Sequence, residues 1–130
     1  MISVDEDGLL SELGPLLAIV VPDTVRTEMH LIGELDILTA PILDTLIEQQ
    51  IATGHIDVRI DLSRLKFCDV LGLRALLRAR RHIAAVDGRV VLLRPTRVLV
   101  RIAIICGLAA ELGLPTDPAT LPAASRKPSN

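Results

Sequence analysis

Residues 56–62 of the chain, Ile-Asp-Val-Arg-Ile-Asp-Leu, alternate apolar and polar without exception. A period of two over seven residues predicts a strand with one buried face. Two earlier apolar runs, "LLAIVVP" (16–22) and "VRTEMHLIGEL" (25–35), read as strands joined by a short turn, which is a hairpin. "RVVLLR" (89–94) is a fourth. Between them the period changes. In "DILTAPILDTLIEQQIATG" (36–54), Leu43, Leu46, Ile47 and Ile51 form a helical stripe. Thr39 is the expected N-cap, Pro41 falls within the first turn, and Gly54 supplies the stop. In "VLGLRALLRARRHIAAVDG" (70–88), Leu73, Leu76, Ile83 and Val86 make the stripe, with Asp69 as N-cap and Gly88 as the end. "RVLVRIAIIC" (97–106) is a third helix, opened by Thr96 and stopped by Gly107.

The predicted order is β-β-α-β-α-β-α. Strands separated by a helix pair in parallel through right-handed crossovers, while the leading hairpin is antiparallel, so the sheet is mixed. Amphipathic helices and a one-faced central strand place the helices mainly on one face of an α/β domain. That domain spans 15–115. Residues 1–14 read as an acidic arm, and 116–130 as a Pro-rich tail.

Composition narrows the function. The 130 residues include one Phe and no Trp or Tyr, so the core is aliphatic and base stacking has no platform. A net charge of -2 argues against a general nucleic-acid binder. The charge is uneven: Arg74, Arg78, Arg80 and Arg81 share one helix, while Asp5, Glu6, Asp7 and Glu12 crowd the arm. That arginine run is either a solvated face or a partner-binding edge. The most apolar stretch, 98–114, is interrupted by Arg101, Gly107 and Glu111, short of the about 20 mainly apolar residues of a membrane span. The acidic start does not resemble a secretory signal. A cytoplasmic protein is expected, with Cys68 and Cys106 reduced by default.

Catalytic and ligand motifs are missing from the pattern. There is no GxxxxGK[ST] or GxGxxG. His30, His55 and His82 lack metal-ligand spacing, and Ser63 has no base placed to activate it. No metal and no cofactor is expected, and a binding module is favoured over an enzyme. The turn at 68–73 stands out, because a helix entrance presents free N–H groups and its first side chains to solvent. A phosphate placed there would gain from the helix dipole.

Two stretches then carry a resemblance. "LIGELDILTAPIL" (31–43) and "IDLSRLKFCDVLGLRALLRARR" (60–81) resemble the STAS domain of bacterial anti-anti-sigma factors. The first signature is Gly33, Glu34, Leu35, Asp36, Thr39, Ala40 and Pro41. The second is Asp61, Leu62, Phe67, Cys68, Asp69, Val70, Leu71, Gly72 and Leu73. Cys106-Gly107-Leu108 matches a later Ser/Thr-Gly-Leu, and the likeness runs over about 25–115. It implies a STAS-like fold and an anti-sigma factor antagonist. Such a protein binds an anti-sigma factor, often a kinase, and frees a sigma factor for transcription. It implies a partner surface of Glu34, Asp36, Asp69, Val70, Leu71, Gly72, Arg74 and Arg78. In the family a Ser follows the Asp and is phosphorylated to block binding. Here that position is Val70, followed by Leu71, and neither has a hydroxyl.

Phosphate therefore cannot switch this chain at the family position. Val70 and Leu71 either offer an apolar contact or pack beneath the turn. Cys68 and Cys106 are either small buried hydrophobes or a redox pair whose disulfide would distort the turn. A constitutive STAS scaffold protein in a signalling assembly is the alternative to the antagonist. A thiol enzyme or small-molecule sensor using Cys68 is a third reading, with nothing in the pattern to support it.

Overall fold

The computed structural model describes residues 15–22 and 26–117. The expected arm, the hairpin turn at 23–25 and residues 118–130 of the tail lie outside them. β1 (Leu16–Pro22) and β2 (Thr27–Leu35) pair antiparallel, Leu17 opposite Ile32 and Val20 opposite Met29. Then come α1 (Ala40–Thr53), β3 (Asp57–Asp61), β4 (Leu65–Cys68), α2 (Val70–Ala84), β5 (Arg89–Leu93) and α3 (Arg97–Ile105). β2, β3 and β5 run parallel to one another, so the five-stranded sheet is mixed, as the pattern predicts.

β4 is the element that periodicity leaves as a connection. Its four residues do not alternate: Leu65 and Cys68 are buried, Lys66 and Phe67 exposed. It pairs with β2 at Gly33–Leu35, while β3 pairs with β2 at Thr27–His30. Two short strands thus take turns along one edge of β2. The register shifts between Gly33 and Glu34. Gly33 has a φ of 112°, and a Cβ there would stand 2.0 Å from the Pro15 carbonyl oxygen, so only glycine fits this kink.

The core lies between one sheet face and the helices. Met29, Leu31 and Leu35 of β2, with Val58 and Ile60 of β3, meet Leu43 and Ile47 of α1 and Leu73, Leu76 and Ile83 of α2. All of these are fully or almost fully buried. Burying each such side chain is worth roughly 1.5–3 kcal/mol. By register the other face carries Glu28, His30, Arg59 and Asp61 across β2 and β3, flanked by Ile19 and Leu93.

Caps hold two of the helix starts. Asp69 accepts a hydrogen bond from the Gly72 N–H at 2.8 Å, and Thr96 accepts from the Leu99 N–H at 3.1 Å. α1 differs from expectation. It begins at Ala40, directly after the expected N-cap Thr39, but the Thr39 hydroxyl caps no helical N–H. α2 ends at Ala84, and the left-handed residue closing it is Asp87 (φ 66°) rather than Gly88. Beyond α3, Ala109, Leu112 and Leu114 return to the core through a run of turns.

Candidate functional site

The two sequence signatures converge at the carboxyl ends of β2 and β4. Their final residues pair in parallel, Glu34 beside Phe67 and Leu35 beside Cys68. After β2 the chain must turn sharply into α1, and Asp36 and Thr39 build the turn. Asp36 Oδ1 accepts from the N–H groups of Leu38 (3.0 Å) and Thr39 (3.1 Å). The Thr39 hydroxyl accepts from the Asp36 N–H at 3.0 Å and donates to the Glu34 carbonyl at 2.9 Å. With its polar groups paired inward, the turn lifts Ile37 and Leu38 into solvent. Leu38 is 82 % exposed.

α2 starts beside this turn. A Cβ on Gly72 would lie 2.2 Å from the Leu35 carbonyl oxygen and 2.9 Å from the Cys68 sulfur. The helix therefore touches the end of β2 backbone to backbone, and Gly72 is buried beneath the surface it helps to shape. The Asp69 carboxylate is occupied by its cap. Val70 and Leu71, on the first turn of α2, are 37 % and 43 % exposed, so each presents part of its surface to solvent. With Ile37, Leu38 and Ile42 they give this end of the molecule an apolar surface, and Phe67 adds to it from β4. Ile37, Leu38, Ile42 and Phe67 are absent from the surface the sequence suggests. Their signal is apolar character outside any helical stripe, which alone does not separate surface from core.

The basic members stand further along α2. Arg78 donates to Asp44 of α1 through Nε (3.3 Å) and Nη2 (3.2 Å), so it ties two helices together. Arg81 Nε donates to Glu111 at 3.0 Å. Arg74 is exposed and has no ion pair among the described residues. Glu34 is exposed, while Asp36 is held in the turn.

Cys68 and Cys106 are both free thiols. Burial, helped by the neighbouring Asp69 charge, pushes the Cys68 thiol up to about 12. A thiol so held is a poor nucleophile.

A polar cluster that sequence reasoning misses sits on the open face. Asp61 is 4 % exposed. Its carboxylate accepts from the Ser63 hydroxyl (2.6 Å), the Ser63 N–H (2.8 Å) and Arg94 Nε (2.8 Å), and His30 Nδ1 lies 3.7 Å away. Burial alone would raise the Asp61 carboxyl. The hydrogen bonds from Ser63 and Arg94, with the Arg94 charge, outweigh it and hold the group below its ordinary value. Ser63 donates to the carboxylate through both its N–H and its hydroxyl, so the cluster braces the turn into β4. Among the described residues no three His, Cys, Asp or Glu are grouped to hold a metal. Among them, too, no helix is long and apolar enough to cross a membrane.

A family model described as "Mlab, STAS domain" matches residues 22–115. The chain belongs to the STAS domain family. Solved structures agree. The anti-sigma factor antagonist SpoIIAA in its unphosphorylated form is 26 % identical, with a TM-score of 0.57, over 66 % of this chain and 80 % of that one. The phosphorylated form, described as a Bacillus cell fate determinant, is 26 % identical with a TM-score of 0.59, over 72 % and 86 %. An anti-sigma factor antagonist from Mycobacterium paratuberculosis is 25 % identical with a TM-score of 0.58, over 77 % and 83 %. Comparison with curated proteins found no match. This STAS domain therefore shares its fold with anti-sigma factor antagonists.

Proposed function

We propose that this STAS domain is a cytoplasmic anti-sigma factor antagonist. It acts as a binding module rather than an enzyme, docking an anti-sigma factor through the carboxyl ends of β2 and β4. One observation carries the reading: five aliphatic side chains, Ile37, Leu38, Ile42, Val70 and Leu71, stand exposed where the two family signatures meet. Each aliphatic side chain fully covered by a partner contributes roughly 1.5–3 kcal/mol. Glu34 and Arg74 at the rim steer the encounter and set register. With Val70 at the phosphoacceptor position, binding is not released by phosphate there.

The test is titration calorimetry of the full chain against purified anti-sigma factors of the source organism. One of them should bind, and Val70→Asp and Leu71→Asp should each weaken it by tenfold or more, since about 1.4 kcal/mol is a factor of ten. Binding left intact by both substitutions removes this surface from the interface.

The missing hydroxyls at Val70 and Leu71 favour a second reading: a constitutive STAS scaffold protein in a signalling assembly. Large homo-oligomers on size exclusion, with no anti-sigma factor bound, would support it. A redox switch draws little from the geometry, in which both thiols are free and Cys68 is buried.

A further inference from the structure

The main run of the sheet ends in two edges, β1 and β5, and the fold treats them differently. On β5 the Arg89 N–H and the Leu93 carbonyl bond inward, to Ile56 and Leu62, so the backbone groups of Val90 and Leu92 point outward. One of these is already taken: Arg80 of α2 donates through Nη1 to the Val90 carbonyl at 2.9 Å. Arg89 opens the strand and Arg94 follows it, so charge guards both ends against a foreign strand.

β1 has no such guard. Residues 15–22 carry no charge, and the strand pairs with β2 along its whole length without a bulge. The Glu34 N–H donates to the Pro15 carbonyl at 2.7 Å, so in the antiparallel ladder Leu17, Ile19 and Val21 also bond toward β2. Leu16, Ala18 and Val20 turn their N–H and C=O groups the other way, where no described residue pairs with them. The side chains of Ala18 and Val20 are only partly buried, at the margin of the core.

We infer that this edge pairs with the same edge of a second copy of the chain, antiparallel across a two-fold axis at Ala18. In that register β1 is complementary to itself. Leu16 faces Val20 of the second copy, Ala18 faces its own equivalent, and each outward N–H meets an outward carbonyl. On the open side Leu17 faces Ile19. Every one of these cross-strand pairs is aliphatic, so no charge is buried and no like charges are opposed. Ala18, the smallest residue of the strand, stands on the axis, and Val20 gains the cover that the margin of a single core does not give it. Because β2 runs antiparallel to β1, the two copies carry the carboxyl ends of their β2 strands to opposite ends of one continuous sheet. The inference rests on neither functional reading, since β1 lies on the side of β2 away from β3 and β4.

The test uses the full chain. Sedimentation is followed from about 1 µM to about 1 mM, the range in which an interface at the small end of the size classes dissociates. Mass should rise from one chain to two and stop there. Ala18→Pro removes an N–H that no described residue uses, so the thermal midpoint should hold while the chain stays monomeric throughout. Cross-linking reads the register. Equivalent residues on the axis have Cα atoms about 5.5 Å apart, within disulfide reach. Ala18→Cys in a C106S background should therefore form a covalent dimer with oxidised glutathione, whereas Val21→Cys, about 20 Å from its equivalent, should not. In the unsubstituted chain, exchange of the Ala18 and Val20 amides should slow as concentration rises. A chain still monomeric at about 1 mM, a dimer indifferent to Ala18→Pro, or cross-linking at 21 rather than 18 overturns the proposal. So does amide protection that is the same at every concentration, which would mean that the edge is covered within one chain.

Discussion

Asp61 is buried and ionised together, and its surroundings explain how. The donors from Ser63 and Arg94 stabilise the charge more than burial opposes it, so the folded chain binds this proton less readily than the unfolded one. The resulting stabilisation is complete above the ordinary value of 3.8 and is lost as pH falls through the lowered one. Asp61→Asn should cost about 1–2 kcal/mol near neutrality. That gap from wild type should hold from neutrality down to about pH 4 in urea unfolding and narrow as pH falls below 3.8, whereas a gap that stays constant below 3.8 would show that the charge contributes nothing. This role was hidden in the sequence. Strict alternation marks Asp61 as a polar-face residue, and it gives no hint that Arg94, 33 positions later, arrives to cover it.

Gly72 decides how α2 meets the sheet. The contact with the Leu35 carbonyl leaves no room for a methyl group, and the neighbour is backbone, which cannot swing aside. Gly72→Ala should therefore destabilise the fold by about 2–3 kcal/mol or more, read as a lower thermal midpoint. An unchanged midpoint would show that α2 shifts freely. Element boundaries were legible wherever a side chain does the capping, as at Asp69 and Thr96. They were less so at Thr39, which bonds backwards into its own turn. β4 escaped because four residues with buried ends carry no period, and its pairing depends on a kink at Gly33, about 30 positions earlier. The convergence of the two signatures followed from the family likeness, while its apolar exposure needed the fold.

At the scale of the whole molecule, stability and recognition are separable. Core burial lies between the helices and one sheet face, and the apolar end surface contributes little to it. Leu38→Glu should change unfolding free energy by less than about 0.5 kcal/mol. It should still weaken partner association in the calorimetric assay, and a marked loss of stability would mean that Leu38 belongs to the core. The shared edge of β2 has a further consequence, for synthesis. One side of that strand is completed only by segments ending at Cys68, more than 30 residues downstream. A nascent chain halted between Leu35 and Cys68 presents an aliphatic strand with a bare hydrogen-bonding edge, the form most prone to pair with another chain. Translation speed across 36–68 is thus set against aggregation by the topology itself.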